Sequence, residues 1–208
     1  MQLITLTDLS FLAHPTQLAV PIELEQEEFQ LIMKQTFLKL PTEPLLLANP
    51  KVDRWIMEVS LLFPEVFEWE PPKFLVDTQF SAKLNKDVCV QINANAAFLE
   101  HQSVHLIEWA IRHPALNWCD RVKLWTAAES LSLPPENIKL TVLALHPTHP
   151  GTRHLISWDS RQHAEAKNWL ASLLARQARS PVAARRTSPP ALASLTDFDI
   201  EEIPELEI

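Results

Sequence analysis

The sequence predicts an α/β domain: a mixed sheet, built on an antiparallel meander and flanked by helices, with a disordered C-terminal tail. Three observations predict it. Two stretches with helical spacing come first, a stretch of alternating apolar residues follows, and a helix, two strands and a further helix close the order. At 208 residues the chain has room for one such domain plus a tail.

In chain order, residues 1–22 are apolar but interrupted by Pro15 and Pro21, which suggests a strand or an irregular segment packed on the domain. Glu23 to Leu40 reads as a helix. Phe29, Ile32, Met33 and Phe37 share one side, and Glu25, Glu27 and Glu28 sit where the helix dipole favours negative charge. Pro41 and Pro44 mark a loop. A second helix, Pro50 to Phe63, opens on a proline suited to a first turn and carries Val52, Trp55, Ile56, Val59 and Leu62 as its apolar stripe.

Pro64, Pro71 and Pro72 break the chain, and the period changes to two. Phe74 to Val76, Phe80 to Leu84, Val88 to Ile92 and Val104 to Trp109 read as strands, turned at Asn85-Lys86-Asp87 and Glu100-His101-Gln102. Trp118 to Ser130 is helical. Ile138 to Leu145 is an apolar, β-branched run suited to a strand buried on both faces. His154 to Trp158 adds another strand, and Asp159 or Ser160 caps a helix to about Ala178. The domain is therefore assigned to residues 1–178.

Residues 179–194 form a flexible basic linker of Arg, Ser, Pro and Ala. Residues 195–208 form an acidic-apolar tail. Its six carboxylates, among them Asp197, Asp199 and Glu201, leave only −2 of the chain's −8 for the rest. Phe198, Ile200, Ile203 and Leu206 give this tail the make-up of a short motif offered to a partner's groove.

Composition excludes several functions. Gly151 is the only glycine, so no glycine-rich phosphate loop exists, and dinucleotide binding and P-loop hydrolysis are ruled out. A net charge of −8 argues against a generally basic nucleic-acid binder. Cys89 and Cys119 lack metal-ligand spacing and suit a reducing cytosol as two thiols. No apolar run approaches the ~20 residues that span a bilayer, so a cytoplasmic protein without a membrane partner is expected. His146, His149 and His154 have loop spacing compatible with zinc but lack a fourth ligand, and strand-end histidines are the simpler reading. Ser157, Asp159 and His163 hold the residue types of a hydrolytic triad, yet on one strand–helix junction they cannot converge, and Asp159 as a helix cap explains them. Of the seven tryptophans, Trp55, Trp118, Trp125 and Trp169 fall on apolar helical faces, whereas Trp69 and Trp109 are open to other roles.

The run Ala94-Asn95-Ala96-Ala97-Phe98, a turn, and then Leu106-Ile107-Glu108-Trp109-Ala110-Ile111 resembles the active-site strands of the PD-(D/E)XK nuclease superfamily, in its RecB-like, single-domain branch. Asn117 to Trp125 is similar to the helix after that site, Ala128-Glu129-Ser130 and Leu133 to Thr141 to the helix end and next strand, and Phe29 to Leu40 to the early helix. The resemblance spans roughly residues 25–175. It implies a restriction-endonuclease-like core, with an acid on the first strand, a second carboxylate on the next and a lysine two residues beyond. Carboxylate oxygens would hold Mg²⁺, and the lysine would steady the attacking water and the phosphate charge.

The departures decide the expectation. Asn95 stands where the acid is expected, Glu108 keeps the second carboxylate, Ala110 replaces the lysine, and Cys119 stands where a glutamine is expected. Losing one such group typically costs on the order of 10²–10³ in rate. The resemblance therefore implies a catalytically inactive relative, a binding or adaptor module in DNA metabolism, with no metal or cofactor. A protein partner for the tail and DNA are the candidate partners, and Arg121 and Trp109 the candidate nucleic-acid contacts. The alternative is a Mg²⁺-dependent DNA exo- or endonuclease with a rearranged site, using Glu108, a carboxylate elsewhere (Asp77 or Glu100) and Lys123 as a migrated lysine. The inactive reading expects a pocket lined by Asn95 and Ala110 without ion-binding geometry.

Overall fold

The structure is a computed structural model that describes residues 1–13, 24–68, 73–111, 116–146 and 148–179. The linker after its first residue, Arg179, which ends the last helix, and the whole tail, with Phe198, Ile200, Ile203 and Leu206, lie outside the described residues, as do Trp69, His113, Pro15 and Pro21. The elements are β1 (Gln2–Thr5), α1 (Leu6–Ala13), α2 (Leu24–Phe37), α3 (Glu43–Ala48), α4 (Pro50–Leu62), β2 (Phe74–Lys83), β3 (Val88–Glu100), β4 (Ser103–Ile111), α5 (Trp118–Leu131), β5 (Ile138–Leu145), β6 (Thr152–Ser157) and α6 (Ser160–Arg179). This is the mixed α/β layout that the alternating periods predict. No helix of the described residues is long and apolar enough to cross a membrane.

β2, β3 and β4 form the antiparallel meander, β5 joins β4 in parallel, and β6 runs antiparallel to β5. β1 lies parallel to the first part of β3, along the same edge that β4 uses further on. β5 has neighbours on both sides and buries seven of its eight residues, as its continuous apolar run requires.

The sheet separates two cores. On one face α1, α5 and α6 bring Leu9, Trp125, Leu170 and Leu173 against Val90, Ile92, Leu106, Leu140 and Val142. On the other, α2 and α4 bring Phe29, Met33, Trp55 and Val59 against Phe74, Ile107, Trp109 and Leu143. Caps fix the helices locally. Asn117 and Asp120 close a reciprocal capping box on α5, and its chain leaves through Ser132 in a left-handed conformation (φ 55°). Asp159 caps α6 by accepting from the Gln162 amide at 2.7 Å, so the Ser157/Asp159/His163 set is a helix start and not a triad.

Four readings of the sequence change. α1 and α3 form where an irregular segment and a proline loop are expected; in α3, Pro44 occupies the first turn, where its missing amide is harmless. β2 is one strand across the gap between its two expected pieces, and β3 continues through Asn93 to Glu100.

The gap in β2 has a physical cause. Ideal pleating keeps residues two apart on one face. In β2, however, Phe74 enters the α2/α4 core while Phe80 and Ala82 enter the α5/α6 core, and in β3 Ala94 and Ala96 likewise part company. Asp77, with φ of 51°, lies between the two halves of β2 and faces Asn95 across the ladder. Both strands change parity at this level, so their register is preserved on either side. Asp is among the residues that tolerate this left-handed conformation.

His105, on β4, is buried beneath Phe63 and bonded to the Thr141 hydroxyl at 2.7 Å. Burial, helped by the charges of Lys139 and Arg153, lowers its pKa to about 4. The unfolded chain takes up this proton near 6.5, so acidification between those values favours unfolding, and the neutral form's full contribution is present above 6.5. Stability should fall by up to about 3 kcal/mol more between pH 7 and pH 4 in the wild type than in His105→Gln. Urea unfolding at both pH values checks this; parallel losses in the two proteins would refute it.

Candidate functional site

The site is built where the β3–β4 ladder stops. The last paired residues are Ala96 and Ile107, and beyond them side chains take over the backbone's hydrogen bonds. The Asn95 amide donates to Glu108 Oε1 at 3.2 Å, and the Trp109 amide donates to Asn95 Oδ1 at 3.1 Å. The two strands are thus splayed but still bridged, and the Asn95 and Trp109 amides each find a side-chain acceptor.

Glu108 is 6% exposed, a costly position for a carboxylate without a partner. Its Oε2 meets Lys123 Nζ, arriving from α5, at 2.6 Å. Lys123 is itself mostly covered. Alternation puts residue 110 on the same side of β4 as Glu108, so the amine that Ala110 lacks is supplied from the next helix. Sequence spacing anticipated this convergence only as the less favoured alternative.

On the opposite face, α2 lays a row of polar residues at four-residue spacing along the splayed strands. Gln26 Oε1 accepts from the Ile111 amide at 2.9 Å. Gln30 Oε1 accepts from Trp109 Nε1 at 2.8 Å and from Asn95 Nδ2, while its Nε2 donates to the Trp109 carbonyl at 3.0 Å. Lys34 pairs with Asp77. That pair is about half exposed, where an ion pair contributes little. Gln30, Leu31, Lys34, Val76, Asp77, Asn95 and Trp109 line a small cleft of about 140 Å³. Gln26, Gln30 and Lys34 were missed from sequence, although a polar i, i+4, i+8 row beside an apolar stripe was the available signal.

Several expected roles need correction. Trp109 is 1% exposed and stacked on Phe37, so its ring offers no face to a nucleobase. Ala110 does not line the cleft that Asn95 lines. Asp77 does not join Glu108, because its side chain goes to Lys34 on α2 while that of Glu108 goes to Lys123 on the other face. Glu100 is at the hairpin turn, accepting from the Ser103 hydroxyl, eight residues from Glu108 in sequence. Arg121 is exposed and available for contact.

His146 is not arranged as a ligand: its Nδ1 accepts from the amides of Thr148 and His149, and its ring stacks on that of His149 at 4.6 Å. His163 bonds Glu129 on α5 through Nε2 and accepts from the indole of Trp158, just before α6, through Nδ1, so both nitrogens are engaged in packing. Cys89 is buried, Cys119 is partly covered, and neither forms a disulfide. Among the described residues no three His, Cys, Asp or Glu side chains are grouped to hold one metal ion.

No protein-family model matches the chain, and no curated protein does. Among solved structures it is similar to SSO0001, at 11% identity and a TM-score of 0.40, over 86% of this chain and 78% of the other. It is also similar to a protein named "Putative exonuclease" from Eubacterium rectale, at 7% identity and a TM-score of 0.48, over 77% of this chain and 68% of the other. Likeness at this level carries no argument about activity.

Proposed function

We propose that this chain is a nuclease-like protein without nuclease chemistry, a binding or adaptor module in DNA metabolism. One observation carries the reading: the buried carboxylate at the strand splay, Glu108, is already neutralised by a residue of the chain. Glu108 holds Lys123 at 2.6 Å and the Asn95 amide at 3.2 Å, leaving little of its charge for a divalent cation. Asn95 could add only a neutral oxygen, one lone pair of which already accepts from the Trp109 amide. The resemblance of residues 94–98 and 106–111 to PD-(D/E)XK strands supports the nuclease-like part of the proposal. Such a site fits Mg²⁺ poorly, since that ion is usually held by carboxylates in octahedral oxygen geometry.

The same ion pair favours a second reading, a rearranged nuclease in which Lys123 acts from the helix in place of Ala110. Its weakness is the missing second acid, because Asp77 is committed to the opposite face. Labelled single- and double-stranded DNA incubated with the purified chain and excess Mg²⁺ or Mn²⁺ separates the two. No cleavage is expected. Cleavage that Glu108→Ala abolishes would overturn the proposal and establish the second reading.

A further inference from the structure

A second cleft lies away from the strand splay, where the start of α5 meets α6. Leu116, Asn117, Trp118 and Arg121 form one wall, and Glu165, Ala166 and Trp169 the other, around about 200 Å³. The two indoles lie against each other, with centroids 5.7 Å apart and planes tilted by 33°. Trp169 remains 37% exposed, so part of its ring forms an accessible wall of the cleft. Arg121 is exposed and pairs with no carboxylate among the described residues. Glu165 is the one acid among the described residues lining the cleft, and with Arg161 3.8 Å from it the charged groups there, Arg121, Arg161 and Glu165, sum to +1. The cleft therefore suits an apolar or aromatic side chain flanked by carboxylates.

We propose that the occupant is the chain's own C-terminal segment, residues 195–208. Phe198, between Asp197 and Asp199, has the chemistry the cleft asks for: an aromatic ring for the exposed indole and carboxylates for Arg121. Connectivity permits it. From Trp169 to the helix end at Arg179 is about 15 Å, and the 15 residues of 180–194 reach back over roughly 20 Å or more. Held on so short a tether, the segment faces the cleft at an effective concentration near the millimolar range, so weak intrinsic contacts suffice. The proposal deepens the adaptor reading, on which it rests for the tail's use. A tail resting in its own cleft is withheld, and an outside partner must compete for Phe198 before it can bind.

The test uses full-length chains and a fluorescein-labelled peptide of residues 194–208, followed by anisotropy. The variant Phe198→Ala/Ile200→Ala/Ile203→Ala empties the cleft and should bind the peptide. The wild type, its cleft filled from within, should bind it roughly tenfold or more weakly. Adding Trp169→Ala, or separately the surface change Arg121→Glu, to the triple variant should remove the binding. Equal binding to wild type and triple variant, absence of binding to both, or binding indifferent to Trp169 and Arg121 would each overturn the proposal. DNA cleavage would sink the adaptor reading and leave these affinities unchanged, so the two failures are distinguishable.

Discussion

Replacing Lys123 with methionine is expected to lower the unfolding free energy by about 3–5 kcal/mol, because it strands a buried carboxylate. The methylene stem is largely preserved, so lost packing contributes little. What disappears is the ammonium 2.6 Å from Glu108 Oε2, at a position only 6% exposed. The Asn95 amide remains as a hydrogen-bond donor but carries no full charge. The double variant Lys123→Met/Glu108→Gln should recover most of the loss, since a neutral amide can still accept from Asn95 and no isolated charge remains. Urea denaturation of the three proteins at neutral pH measures it. A single variant within 1 kcal/mol of wild type would mean that water reaches the carboxylate, and the account of the site as internally neutralised would fail.

Trp109→Ala should cost about 3–5 kcal/mol, through the cavity it opens in the α2/α4 core. The ring is buried against Phe37, and its Nε1 donates to Gln30, which in turn holds Asn95. Trp109→Phe separates the two contributions. It retains most of the apolar volume and deletes only the indole donor, so a loss of about 1–2 kcal/mol is expected. Were Trp109 instead a surface platform for nucleobases, either change would leave stability nearly untouched and weaken DNA binding alone.

These side chains also show where local sequence stops informing. Ile138–Leu145 is legible as a doubly covered strand because a continuous apolar run needs no partner to be recognised. The helices α2, α4, α5 and α6 are legible for a similar reason, their stripes or caps being written within a few residues. Asp77 hides the unity of β2, because the alternation that identifies a strand reverses there. Gln30 and Asn95 are 65 residues apart, so their bond has no signature in either neighbourhood. Trp109 reads ambiguously because its burial is decided by α2, far from it in sequence. The pairing of Glu108 with Lys123 was within reach, since a helix following its strand by a short loop returns over that strand's end.

β1 pairs with Val88–Gln91, and Leu9 just after it shares a core with Leu170 and Leu173. During synthesis this opening segment leaves the ribosome long before either partner exists. β1 must wait for more than 80 residues to follow, and Leu9 for about 160. Contacts of such separation carry a large loop-closure entropy and slow folding. Until those partners arrive, Ile4 and Leu9, buried in the finished fold, have no core to enter.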